Sequence, residues 1–232
     1  MDFPRSISLI PARGGSKGIP HKNIQLLDNK PLIAHSILDA IEATLVEQVY
    51  VSTDDFEIAS VAENYNASII ERPDKLAGDT ASSESALVHA LNEIEKSGFQ
   101  PDLIVFLQCT SPIRTGADID KAIQKMKAER ADSLLSVSPS HRFLWEEDSG
   151  QAKSINYDYR DRPRRQDMNP QYVENGSIYI FKPWVIKEFN NRLGGKISLF
   201  PMSEAAAHEI DSPLDFEIAE FLLKQQVTSH AY

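Results

Sequence analysis

Short apolar segments alternate with stretches of helical spacing through the first half of the chain, and few architectures accept that order. Ser6–Pro11, Val49–Thr53, Ala67–Ile70, Leu103–Leu107 and Ser133–Ser138 read as strands. Between them, Leu32, Ile33, Ile37, Ala40 and Ile41 follow Pro31 at helical spacing, residues 55–64 suit a helix, and Ala86, Leu87, Ala90, Leu91 and Ile94 mark one helical face that stops near Gly98. A further helix is expected over Ala117–Glu129. Strands alternating with helices imply a largely parallel sheet wrapped on both sides. Leu103–Leu107 is apolar at every position, as a strand covered on both faces requires.

After Pro139 the character changes. Residues 141–172 are polar, rich in Arg, Asp, Tyr and Pro, and without helical periodicity. A lid, a hairpin and a dimerisation arm all suit such a stretch; Phe143, Leu144, Trp145, Ile155, Tyr157 and Tyr159 favour a hairpin or arm, because they need burial somewhere. Gly176–Phe181 resumes the sheet, and Ile197–Pro201 is a candidate further strand. The last helix has a clear start, with Ser212 as N-cap, Pro213 as first helical residue and Asp215 in the first turn. One α/β domain over residues 1–232, with an extension at 140–172, accounts for the length.

The formal net charge of −10 argues against general nucleic-acid binding, which relies on basic surface. No apolar run approaches the length of a membrane span, and the first residues lack the pattern of a secretory leader. Cys109 is the single cysteine, so an internal disulfide is impossible and a cytoplasmic location is expected. Two basic clusters stand out against the acidic background: Arg13, Lys17, His21, Lys22 and Lys30, and Arg160, Arg162, Arg164 and Arg165. A solvated loop is the ordinary reading of such runs, but the first cluster shares its segment with three glycines.

That segment, Ala12-Arg13-Gly14-Gly15-Ser16-Lys17-Gly18, follows the first strand directly. Glycines let a backbone turn tightly and bring successive N–H groups toward an anion. Arg13 and Lys17 add full charges, which suits a triphosphate. Neither GxxxxGK[ST] nor GxGxxG is present, so the loop is not a Walker motif or a dinucleotide fingerprint.

The stretch Pro11 to Asn23 resembles the signature of the acylneuraminate cytidylyltransferases, the CMP-sialic acid synthetases and their relatives. Further similar segments follow in family order: Val51–Asp54, Arg72-Pro73, Asp79–Ser83, Gln108–Pro112 with Arg114, Asn175–Tyr179 and Glu209–Asp211. The Kdo cytidylyltransferases carry a different loop, closer to R-x-x-S-x-R-L-P-G-K. The resemblance implies a Rossmann-like three-layer nucleotidyltransferase fold with a mainly parallel sheet, a small dimerisation extension and a homodimer. It further implies CTP and a nonulosonic acid as substrates, and Mg²⁺. Carried over by position, Arg13, Ser16, Lys17 and Lys22 would surround the phosphates, Asn23, Arg72, Ala81 and Ser83 the base and ribose, and Ala12 and Gly14 would also bind the nucleotide. Gln108, Arg165, Asn175 and Tyr179 would hold the sugar, and Asp211 with Glu209 the metal; Arg13, Lys17, Lys22 and Asp211 would carry the chemistry.

The residues can be weighed on their own physics. Gln108 lies just past a buried strand, where α/β sheets bind ligands. Arg165 offers a fork that fits a carboxylate, although Arg162 or Arg164 would serve as well. Tyr179 is equally readable as a core aromatic. Glu209 and Asp211 alternate, so in an extended segment both carboxylates face one side. Glu209 departs from the family's usual Asp, and Cys109 stands where many relatives have Pro. No base partner for Cys109 is evident, so it reads as packing. Activation of a different sugar, and a catalytically silent nucleotide-binding module, are the rival readings.

Overall fold

The computed structural model describes residues 4–16 and 18–229, with side chains up to Gln225. The alternation becomes β1 (Ser6–Pro11), a small ribbon of β2 (Leu26–Leu27) and β3 (Lys30–Pro31), α1 (Leu32–Glu42), β4 (Gln48–Thr53), α2 (Phe56–Asn64), β5 (Ser68–Glu71), α3 (Ser83–Lys96), β6 (Leu103–Leu107), α4 (Gly116–Glu129) and β7 (Ser133–Ser140). The second half supplies β8 (Trp145–Asp148), β9 (Gln151–Ser154), β10 (Gln171–Phe181), α5 (Pro183–Phe189), β11 (Ile197–Pro201) and α6 (Pro213–Ser229).

Seven strands form the central sheet in the order β11-β7-β10-β6-β1-β4-β5. All neighbours run parallel except β10, which is antiparallel to both β6 and β7. Period-two alternation divides the apolar side chains between the two faces. Ile10, Val51, Val105 and Ile180 point toward α1, α2 and α4, joining Ile33, Ile37, Ile58 and Ile123 in one core. Ile7, Leu9, Phe106 and Phe181 point the other way, against Leu87, Leu91 and Ile94 of α3 and Val185 and Ile186 of α5. The result is the expected three-layer α/β arrangement.

Local signals set several boundaries. Asp55 caps α2 by accepting from the Ile58 N–H at 2.9 Å. Ser82 caps α3, and Thr115 with Asp118 closes a capping box on α4. Pro213 opens α6 with Asp215 in its first turn, as anticipated, but the Ser212 hydroxyl donates to Asp215 and, among the described residues, caps no helix N–H. The Asp215 carboxylate accepts from the N–H groups of Asp211 and Ser212 at 3.0 and 2.7 Å, and the Ser212 hydroxyl donates to it as well.

Within residues 140–172 the chain forms the β8–β9 hairpin and two short 3-10 turns. Its aromatic residues gather but stay outside the two main cores. Phe143 and Tyr157 have ring centroids 4.4 Å apart, Trp145 donates from Nε1 to the Tyr157 hydroxyl at 2.9 Å, and Arg162 lies 4.3 Å from the Phe143 centroid. Leu144, Trp145, Ile155 and Tyr159 are each about half exposed.

Candidate active site

The strand order reverses at β1: the chain steps outward through β4 and β5, then returns to the other side of β1 with β6. Crevices at the carboxyl ends of strands beside such a switch are where open α/β sheets hold ligands. A cleft of about 420 Å³ lies there, bordered by Arg13, Ser16, Lys22, Arg72, Gln108 and Asp211.

The glycine-rich loop forms one wall. Arg13 reaches across to the Gly78 carbonyl at 3.1 Å and the Asp79 carboxylate at 3.5 Å, closing the loop against the segment that precedes α3. Asn23 borders the cleft and is buried, and its amide donates to the Arg13 carbonyl at 3.1 Å, holding the loop's shape from beneath. The N–H groups expected to cradle an anion are partly engaged inside the protein. Gly14 N–H donates to Asp54 at 3.2 Å, Ser16 N–H to the Gly14 carbonyl at 3.0 Å, and Ala12 N–H to the Ser52 carbonyl at 2.9 Å. Ala12 is buried at the end of β1, so its part is backbone placement. Gly14 leaves no room for a side chain, since a Cβ there would stand 2.6 Å from Asp55 Oδ2. Lys17 lies outside the described residues.

The opposite wall is built by Arg72 and the start of α3. Arg72 is buried, donates to Ser52 Oγ at 3.2 Å and to the Ser52 carbonyl, and still borders the cleft. Burial lowers its pKa, with the Asp54 carboxylate opposing. Ala81 and Ser83 line the same wall, where the first turn of α3 presents a helix N-terminus.

Lys22 and Asp211 meet at the mouth. Lys22 Nζ donates to the Ile210 carbonyl at 2.8 Å and stands 3.3 Å from Asp211 Oδ1, while the Asp211 side chain remains 76% exposed and free to face a ligand. Gly18 allows this approach, because a Cβ there would lie 2.6 Å from the Asp211 carbonyl oxygen. Glu209 shares the segment, and partial burial, then Asp211 and Glu174, push its carboxyl pKa up. Among the described residues no three His, Cys, Asp or Glu side chains gather into a metal site.

The residues assigned to the sugar separate into two sets. Gln108 borders the cleft at the end of β6. Asn175 is fully buried, with its amide donating to Ser138 Oγ at 3.1 Å and its carbonyl oxygen accepting from Ser136 Oγ and the Ser177 N–H. Tyr179 is a core aromatic, stacked on Phe106 at 5.4 Å with its hydroxyl bonded to Glu174. Burial first, then that bond, raises its pKa. In the single chain neither side chain is presented to the cleft: the pleat of β10 turns Tyr179 inward, and neighbouring serines occupy Asn175. Arg165 is also apart from it, lining a second hollow with His141, Arg142 and Glu204 beside the extension. Cys109 packs in the core as anticipated, and burial pushes its thiol up to about 12, removing it as a nucleophile at neutral pH.

Gly176 and Arg114 have structural parts that the spacing of residues does not reveal. Gly176 has a φ of 64°, and a Cβ there would stand 2.6 Å from both Gln108 Oε1 and Glu209 Oε1. The glycine therefore lets the sugar-side and metal-side residues close over one point of backbone. Arg114 is buried directly behind them. A charged residue that follows the apolar Pro112-Ile113 pair was the available signal.

The sequence matches the cytidylyltransferase family over residues 7–225. It is 34% identical over 222 residues to the post-translational flagellin modification protein B of Campylobacter coli, covering 93% of each chain. It is 35% identical over 227 residues to the CMP-N,N'-diacetyllegionaminic acid synthase of Legionella pneumophila, covering 95% of this chain and 97% of that one. N-acylneuraminate cytidylyltransferase A of Danio rerio is 35% identical over 217 residues; the match takes in 92% of this chain but only 49% of the fish protein. Among solved structures, CMP:2-keto-3-deoxy-manno-octonic acid synthetase complexed with CTP superposes with a TM-score of 0.73 at 18% identity, covering 96% of this chain and 99% of that one. A 4-diphosphocytidyl-2C-methyl-D-erythritol synthase gives 0.72 at 14% identity, covering 96% of this chain and 100% of that one. Those two identities speak to the fold alone. With the family match spanning nearly the whole sequence, the chain belongs to the cytidylyltransferases.

Proposed function

We propose that this cytidylyltransferase moves CMP from CTP to the anomeric hydroxyl of a nonulosonic acid of the N-acetylneuraminic or legionaminic type, releasing pyrophosphate. The observation that carries this reading is the cleft itself, which Arg13, Lys22, Arg72, Gln108 and Asp211 border together. The likeness to a CMP-N,N'-diacetyllegionaminic acid synthase over nearly its whole length supports the acceptor class.

The reaction asks the protein chiefly for alignment and for neutralisation of charge on phosphate oxygens. Arg13 and Lys22 supply cations on the loop side, and the first turn of α3 adds N–H groups on the other. Gln108 would orient the acceptor at the carboxyl end of β6. Mg²⁺ suits the residues present, because it ordinarily takes one or two carboxylates and completes its shell with phosphate and water. Asp211, exposed at the mouth, would hold it, with Glu209 beside it; bound there, the ion would neutralise phosphate charge and acidify a coordinated hydroxyl.

A homodimer in a reducing cytoplasm completes the proposal. The exposed apolar side chains of the extension support pairing with a second copy, and Arg165 stands at the base of that extension.

Substitution of Lys22 by Ala tests the phosphate assignment. Pyrophosphate release should fall about 10²-fold or more, while the loss of the bond to the Ile210 carbonyl and of the pair with Asp211 costs about 1–3 kcal/mol and leaves the variant folded. Activity near that of the unsubstituted protein would remove Lys22 from the site.

A further inference from the structure

Behind the cleft lies a buried cation that the reaction does not use. The Arg114 side chain has 0% exposure. Its Nη1 donates to the Ser111 carbonyl, and stands 3.4 Å from the Gln108 carbonyl and 3.3 Å from both the carbonyl and the hydroxyl of Ser177. Nη2 donates to Ser36 Oγ on α1, and Nε faces Asp39 Oδ2 at 3.5 Å. One guanidinium thus touches three elements: the loop after β6, the turn in β10 and the helix α1.

The contacted backbone is the backbone that matters for the site. Gln108 opens the loop, and Ser177 directly follows Gly176, over which Gln108 Oε1 and Glu209 Oε1 close. We propose that Arg114 is a positioning residue: it fastens the loop carrying Gln108 to the β10 turn carrying Gly176, with the Asp39 carboxyl facing its Nε. Through that joint it sets the register of Gln108 toward the acceptor and of Glu209 beside Asp211. The two terminal nitrogens of a planar fork reach these acceptors together; a lysine ammonium keeps the charge but not the directions. The proposal rests on the reading of Gln108 as the acceptor contact.

The test compares Arg114→Lys, Asp39→Asn, Gln108→Ala and the double variant Arg114→Lys/Gln108→Ala, with N-acetylneuraminic and legionaminic acids as acceptors. A displacement of about 1 Å in a positioning shell costs up to about 10²-fold in rate. Arg114→Lys should therefore lower kcat/KM for the acid sugar by about tenfold or more, and leave the KM for CTP within about twofold. Asp39→Asn should act in the same direction, and the double variant should be no worse than Gln108→Ala alone. A role confined to holding the fold would lower the melting temperature and leave kcat/KM for the acid sugar unchanged, and that result would overturn the proposal. Hydrogen exchange supplies a readout that needs no substrate. Peptides over residues 107–116 and 174–178 should exchange faster in Arg114→Lys while residues 18–25 keep their protection; uniform acceleration would contradict the joint. If the unsubstituted protein used no acid sugar, the functional reading would fall, and the exchange pattern would still decide the role of Arg114.

Discussion

Asp39 shows how a single buried group makes its presence measurable. Burial pushes its carboxyl up to about 7 from an ordinary 3.8, against the pull of Arg114; Glu42 and Asp118 reinforce the rise, and Lys30 opposes it weakly. Between those values the folded protein holds a proton that the unfolded chain has released. Stability from this group is therefore greatest at low pH and falls as pH rises from about 4 to about 7. Glu93, Glu129, Asp132 and Asp215 carry depressed pKa values and act in the opposite sense, so the comparison must be made against Asp39→Asn. Urea unfolding across that window should show the native protein losing up to about 1.4 kcal/mol per pH unit relative to the variant. Parallel stability profiles would mean that Asp39 is ionised throughout. Residues of this kind are poorly legible in a sequence. Asp39 sits in an ordinary helical pattern, and its surroundings are decided by Arg114, many positions away. Arg13 and Lys22 stood out because they share a glycine-bearing segment that follows an apolar strand, whereas Arg72 and Asp211 were picked out by the family resemblance, Asp211 also by its alternation with Glu209.

At the scale of elements, β10 departs most from what its sequence suggests. Gly176–Phe181 reads as a strand because it is apolar and buried; the preceding residues Gln171–Glu174 are mostly exposed and carry no alternation, yet they pair with β7 out to Ser140. Direction also escapes periodicity: β10 runs antiparallel between two neighbours that are parallel to β1, and a strand buried on both faces looks the same either way. The register shifts between Glu174 and Tyr179, with Gly176 at the irregularity. Alanine there must adopt a left-handed backbone, at about 1–2 kcal/mol, and must also displace Gln108 or Glu209. Gly176→Ala should lose that stability in denaturant melts and reduce turnover in the same preparation. Full activity with full stability would show that the turn tolerates a side chain. The helices α1 and α3 were more legible, since their apolar residues recur at helical spacing; Asp55, Ser82 and Thr115 cap α2, α3 and α4, and α1 follows Pro31 without a side-chain cap. The seven-residue α5 was not, having too few turns to show a period.

At the scale of the whole molecule, the alternation of strand and helix in the first half specified the three layers, and the strand order then placed the cleft at the ends of β1 and β6. What a single chain's sequence cannot specify is where its unsatisfied surface goes. Trp145 at 49% and Tyr159 at 53% exposure lie on one extension with Leu144 and Ile155, a concentration that monomers seldom leave open. Light scattering should give the mass of two chains for the native protein and of one for Trp145→Glu with Tyr159→Glu, both remaining folded; a native monomer would exclude the homodimer. Transfer of CMP to a nonulosonic acid is read out by pyrophosphate release from CTP, ATP, GTP and UTP with Mg²⁺, each offered N-acetylneuraminic acid, legionaminic acid and Kdo. Release is expected with CTP and one of the two nonulosonic acids, strongly reduced with Kdo and with the other nucleotides. CTP binding without release for any acceptor would contradict it and leave a nucleotide-binding module in place of an enzyme.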